Sequence, residues 1–135
     1  MTESIAFQVY VDQPYEEAIA AVTAALKTEG FGVLTHINVR ATLKKKLGQD
    51  FRPYAILGAC NPSLAHRAIA RDARAGLLLP CNITVEAGAE GGSIVRVGNP
   101  AVLLLGVGEV GQDPVMREIA AEAWSRLERV AKSLE

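Results

Sequence analysis

The sequence holds few of the groups most often recruited for chemistry or for nucleic acids. Two cysteines, two histidines, one tryptophan and three each of tyrosine and phenylalanine are spread over 135 residues. Aromatics this sparse argue against a base-stacking platform. A formal net charge of -1, from 14 basic and 15 acidic side chains, leaves no concentrated positive surface for phosphates, so nucleic acid is not an expected partner. No apolar run is long enough to span a bilayer, and no membrane partner is expected. The H-E-x-x-H, G-x-S-x-G, P-loop and kinase signatures are missing, which leaves catalysis without support from any motif. The opening "MTESIAFQVYVD" lacks a basic start followed by an apolar stretch and a cleavage site. A cytoplasmic chain with reduced thiols is therefore expected.

What the sequence does have is periodicity, over a length that predicts a single domain spanning residues 1–135. "IAFQVYV" alternates as a strand does, with Ile5, Phe7, Val9 and Val11 on one face. "QPYEEAIAAVTAALKTEG" changes to helical spacing, with Pro14 at its start, Glu16 and Glu17 at the positive end of its dipole and Gly30 at its stop. "FGVLTHINV" returns to alternation through Phe31, Val33, Thr35, Ile37 and Val39, and a short basic helix, "RATLKKKLG", follows. "RPYAILGAC" predicts a third strand ending at Cys60, and "NPSLAHRAIARD" a helix capped by Asn61 with Pro62 just inside. "LLLPCNITVEA" predicts a fourth strand with Pro80 at an edge or bulge, since proline cannot donate to a ladder. "GAEGGS" then turns into "IVRVG" to close a hairpin. "NPAVLLLG" fits either a helical turn or a short strand. "DPVMREIAAEAWSRLERVAKSL" is a helix capped by Asp113, with Ile119, Ala123, Leu127, Val130 and Leu134 inward.

This order predicts an α+β fold: a ferredoxin-like split β-α-β core with a mostly antiparallel sheet, an added hairpin and a C-terminal helix. In that plan the first strand separates the third from the fourth. Strands two places apart lie about 10 Å from each other, beyond disulfide reach, so Cys60 and Cys81 are expected to be unbonded.

The two cysteines each precede an asparagine, as Cys60-Asn61 and Cys81-Asn82. Cys60 stands at a strand end before a helix cap, where open backbone N–H groups favour a thiolate, and His66 one turn on could turn toward it as a proton acceptor. Cys81 shares the parity of Leu77, Leu79, Ile83 and Val85, which predicts a core-facing thiol. A packed, inert thiol is the competing reading at both positions. Asn61 is expected to cap its helix and Asn82 to satisfy backbone groups left unpaired by Pro80. Metal binding through Cys60, His66, Cys81 and His36 has suitable atoms, but the spacing follows no zinc pattern. Arg40, Lys44, Lys45, Lys46 and Arg52 could draw a small anion or an acidic partner, a solvated helix face being the bland alternative. "GVGEVG", Gly106 to Gly111, spells G-x-G-x-x-G, yet too little chain follows for a dinucleotide fold, so a flexible loop is expected there.

At "GFGVLTHINVRATLKKKLGQDFRPYAILGACNPSLAHRAI" and "GLLLPCNITV" the chain closely resembles the domain of unknown function 302 family. The resemblance runs from "EEAIAAVTAALKTEGFGVL" to the "LERV" near the end. It implies a small α+β domain, seen as a dimer, with no assigned reaction. The family's motifs fall here on Gly30 and Phe31, on Lys46, Phe51 and Arg52, on Leu57, Gly58, Cys60, Asn61, Pro62 and Ala65, and on Pro80, Cys81 and Asn82. The expected function is a homodimeric, non-enzymatic module that binds a small ligand, a metal or a partner near Cys60 and the basic turn. Arg40, Lys46, Arg52, Cys60, Asn61, Cys81 and Asn82 are its candidate contacts. The alternative is thiol chemistry by Cys60 with His66. No cofactor is indicated.

Overall fold

Strand β1, Ala6–Val11, turns Val9 and Val11 into the core and Tyr10 outward, the alternation that a one-sided sheet requires. The computed structural model of the chain describes residues 4–106 and 108–135. Helix α1, Tyr15–Thr28, buries Ala18, Val22 and Leu26 at spacings of four, with Glu16 and Glu17 in its first turn. The chain leaves α1 through Gly30 at φ +83°, where a side chain would be strained. Strand β2, Gly32–Asn38, and helix α2, Val39–Leu47, come next, followed by β3, Tyr54–Cys60, and α3, Pro62–Arg71. A 3-10 turn, Ala73–Leu78, leads to β4, Cys81–Ala87, which pairs with β5, Ser93–Gly98. A short 3-10 turn, Ala89–Gly91, joins β4 to β5, and helix α4, Pro100–Leu103, a third 3-10 turn, Gly108–Gln112, and the long α5, Pro114–Ser133, complete the chain.

Three of these helices start alike. Asn61, Asn99 and Asp113 each accept a backbone N–H from the helix they cap, and each is followed by proline in its first turn. The ambiguous "NPAVLLLG" is thus a helical turn.

The strands form one antiparallel sheet in the order β1-β5-β4-β3-β2. The α+β class, the antiparallel sheet, the hairpin and the C-terminal helix are as expected. The interleaving of a split β-α-β core is not: β1 and β2 occupy opposite edges, and β3 and β4 are neighbours. The reason lies in α3, which packs on α5 and on the 3-10 turn after it rather than crossing the sheet. The chain therefore returns beside the strand it left. Cys60 and Cys81 remain unbonded, although their strands adjoin.

Two further expectations change. Between Val33 and Thr35 the β2 register shifts, so Val33 opposes Ala59 while Thr35 opposes Gly58. One extra residue reverses the parity beyond it, so Thr35 and Ile37 leave the core-facing row and Leu34 is exposed. The fourth strand begins after Pro80 rather than running through it, because Leu77 and Leu78 belong to the 3-10 turn.

The main core lies between one sheet face and helices α1 and α5, around Leu26, Leu57, Ile83, Val95 and Leu127. Phe7 stacks on Trp124 there, with ring centroids 4.4 Å apart. A second cluster joins Leu64 and Ala68 of α3 to Ala75, Leu104, Met116 and Ile119. The glycine-rich stretch belongs to this cluster. Val110 and Gly111 are buried, and a side chain at Gly111 would collide with the Leu105 carbonyl, so its end is a packed turn rather than a loose loop. Val107, within that motif, lies outside the described residues.

Candidate functional site

The register between β3 and β4 sets Ala59 opposite Cys81 and Gly58 opposite Asn82, which brings both Cys-Asn pairs to one corner of the sheet. A cavity of about 510 Å³ opens there, between the sheet end, α3, the first 3-10 turn and α4. Its walls are aliphatic: Leu34, Leu64, Ile69, Leu78, Leu103 and Leu104 contribute most of the bulk, with Phe31 as the one aromatic among the described residues. Its polar groups are Thr35, Asn61, Asn82 and the two thiols, and no charged side chain lines it among the described residues.

Asn61 has a structural task. Its Oδ1 accepts the Leu64 N–H at 3.2 Å, and its Nδ2 donates to the Glu29 carbonyl at 3.4 Å. Arg126 Nη1 donates to the same carbonyl at 3.1 Å. A Cβ at Gly30 would lie 2.9 Å from Asn61 Nδ2, so the glycine that ends α1 also admits the residue that starts α3. Asn99 repeats this design, capping α4 and donating to the Ser4 carbonyl at 3.2 Å.

Asn82 differs. Of the four asparagines, Asn38, Asn61 and Asn99 accept capping hydrogen bonds, whereas Asn82 makes no side-chain hydrogen bond among the described residues. The expected repair of the backbone at Pro80 is not what it does. Its strand pairs regularly with Gly58, and its amide is exposed at the cavity.

The thiols are half-buried and line the same cavity. Burial pushes the Cys81 thiol up to about 11, and the neighbouring Cys60 adds to that rise. Cys81 is thus a protonated, weakly nucleophilic group at neutral pH.

A family model described as a domain of unknown function, DUF302, matches residues 7–134. The chain belongs to the DUF302 family. The crystal structure of an uncharacterized conserved DUF302 protein from Bacillus stearothermophilus is similar to it at 31% sequence identity. The alignment covers 98% of this chain and 100% of that one, with a TM-score of 0.85. No curated protein matches the chain.

Of the candidate residues, this DUF302 chain gathers Cys60, Asn61, Cys81 and Asn82 around the cavity and leaves the others elsewhere. His66 lies on the exposed side of α3, away from the Leu64, Ala65 and Ala68 side that lines the space. His36 is exposed on β2 opposite Leu57. Among the described residues no three histidine, cysteine or acidic side chains converge, so the set Cys60, His66, Cys81 and His36 is not assembled as a metal site. Arg40 and Lys46 are exposed on α2 and do not reach the cavity, and Lys44 pairs with Asp50 at 3.0 Å. Arg52 donates to Glu86 at 2.8 Å and lies over the Phe51 ring, 4.5 Å from its centroid. Glu86 is buried and also bonded by Arg96. Burial alone would raise its carboxyl, but the two guanidiniums hold it below its ordinary value. The basic cluster and the cavity are therefore separate features. The contribution of Pro100, Leu103 and Leu104 was missed from sequence, although the echo of "CNP" in "GNP" was there to suggest it.

No helix among the described residues is long and apolar enough to cross a membrane.

Proposed function

We propose that this DUF302 chain is a binding module that holds a small, uncharged, mainly apolar molecule in the cavity beside Cys60 and Cys81. The observation that carries this reading is the cavity itself: about 510 Å³ of space, walled by aliphatic side chains with no charge among the described residues, where both Cys-Asn motifs meet. That volume falls within the roughly 300–1,000 Å³ typical of small-molecule sites. An ionised ligand would enter without a counter-charge and lose its hydration. The basic turn does not change this, since Arg40, Lys46 and Arg52 lie outside the lining.

The module acts as a homodimer in this reading, supported by the family resemblance and by exposed Ile37 on the edge strand β2. Two free thiols suit a reducing compartment such as the cytoplasm. Thiol chemistry draws less support, because His66 does not line the cavity and Cys81 is held protonated.

Titration with N-phenyl-1-naphthylamine, an uncharged fluorescent probe, tests the reading. Saturable binding by the native protein is expected, together with its loss in Ala65→Phe, which fills the cavity from α3. A thermal melt confirms that the variant folds, and Ala65→Leu serves as a milder filling variant. No saturable binding, or binding unchanged in folded variants of both kinds, overturns it.

A further inference from the structure

The polar groups of the cavity narrow the ligand further, on the premise that the binding reading above holds. Thr35 opposes Gly58, and Gly58 opposes Asn82, so the three form one row across β2, β3 and β4 on a single sheet face. A side chain at Gly58 would collide with Thr35 Oγ1 and stand 2.8 Å from Pro80 Cγ. Thr35 and Pro80 therefore lean over the glycine, which brings a hydroxyl toward the Asn82 side. On the other flank of Asn82 stands Gly98, where an added Cβ would lie 3.0 Å from the Asn82 carbonyl oxygen. Asn82 thus has a glycine on each side, with Thr35 and Pro80 standing over Gly58 and Leu103 Cδ1 over Gly98, so the amide is flanked by one hydroxyl and by apolar groups.

Thr35 and Asn82 both line the cavity, both are exposed, and neither makes a side-chain hydrogen bond among the described residues. Asn61 is already engaged at Leu64 and Glu29. The polar end of the cavity is therefore an amide with a free oxygen and a free NH₂, beside a hydroxyl, against a body of leucine and isoleucine. Such an end satisfies a group that both donates and accepts, and it offers nothing to neutralise a charge.

We infer that the ligand is a neutral aliphatic molecule with one terminal hydrogen-bonding group, a carboxamide or an alcohol, received by Asn82 with Thr35 while its chain lies among Leu64, Ile69, Leu78 and Leu104. The acid of the same chain length is discriminated against, because its carboxylate would meet no cation. The row geometry assigns Asn82 the role of reading the head group, and the walls read only the bulk of the chain.

Displacement of the naphthylamine probe by octanamide, octan-1-ol and octanoate at pH 8 tests this on the full chain. Octanamide and octanol are expected to displace the probe at concentrations at least about tenfold below octanoate, because the carboxylate would lose hydration with no cation to offset its charge. Asn82→Leu, close in size but without the amide, is expected to weaken octanamide about five-fold more than it weakens the probe, the scale of one lost hydrogen bond. Asn82→Gln, with the amide restored one carbon further out, should recover part of that loss. Equal displacement by octanamide and octanoate, or equal weakening of octanamide and probe in Asn82→Leu, overturns the head-group inference while the cavity reading stands. Absence of probe binding to the native protein removes the cavity reading itself.

Discussion

At the scale of the residue, Cys81 shows how position decides chemistry. The same Cys-Asn dipeptide occurs twice, yet Cys81 opens the central strand β4 and packs against the main core, whereas Cys60 closes β3 beside a helix start. Burial raises the Cys81 thiol from 9.0 to about 11. The folded protein therefore holds this proton more tightly than the unfolded chain. Its contribution to stability is complete below pH 9, declines as pH rises from 9 to 11, and is lost above that. A two-unit difference corresponds to roughly 2 to 3 kcal/mol at most. Urea unfolding of the reduced protein at intervals from pH 8 to 11, beside Cys81→Ala, isolates this from other alkaline titrations. The stability difference between the two proteins should shift against the native protein across that interval, and parallel curves would refute the burial argument.

At the scale of the element, Asn61 joins two helices that are distant in sequence. Its oxygen caps α3 and its NH₂ reaches the carbonyl of Glu29 after α1. Asn61→Ala removes both bonds from a buried position and should destabilise the protein by about 1–3 kcal/mol in chemical denaturation. Asn61→Ser restores a capping oxygen and should recover the helix part of that loss, leaving the part due to the tie. The cap was legible in the sequence because it depends on adjacent residues, Asn61 and Pro62. The same holds for α5, whose apolar stripe and Asp113 start are local signals. What was not legible depended on neighbours far along the chain. The bulge in β2 reversed the parity of Thr35 and Ile37 while the letters alternated without a break. Adjacency of β3 and β4 followed from α3 packing on α5 instead of on the sheet, a choice no local spacing encodes. Asn82 was read as a backbone repair because Pro80 stands two residues before it. Only the register with Gly58 reveals an unengaged amide at a cavity.

At the scale of the whole molecule, two apolar clusters share α5, and the cavity lies where they meet. The main cluster is built on four strands, α1 and the C-terminal half of α5, whereas the second depends on α3, the short turns and the N-terminal half of α5. Fewer buried side chains and shorter elements make the second the easier one to open, since local stability follows buried apolar contact. Leu64, Ala68, Leu104, Ile119 and Ala123 belong to that cluster and also line the cavity, so a bound molecule adds contacts to the weaker side. Binding to the closed form alone stabilises it by about 2.7 kcal/mol at a free ligand concentration of one hundred times Kd. Amide hydrogen exchange in the presence of the naphthylamine probe should therefore slow most in residues 62–79 and 100–104, by up to about a hundred-fold for amides that exchange through that opening. Amides of β1 and β5 remote from the corner should slow only where they already exchange by global unfolding. Uniform slowing over both groups would mean that the two clusters open together, as one unit spanning α5.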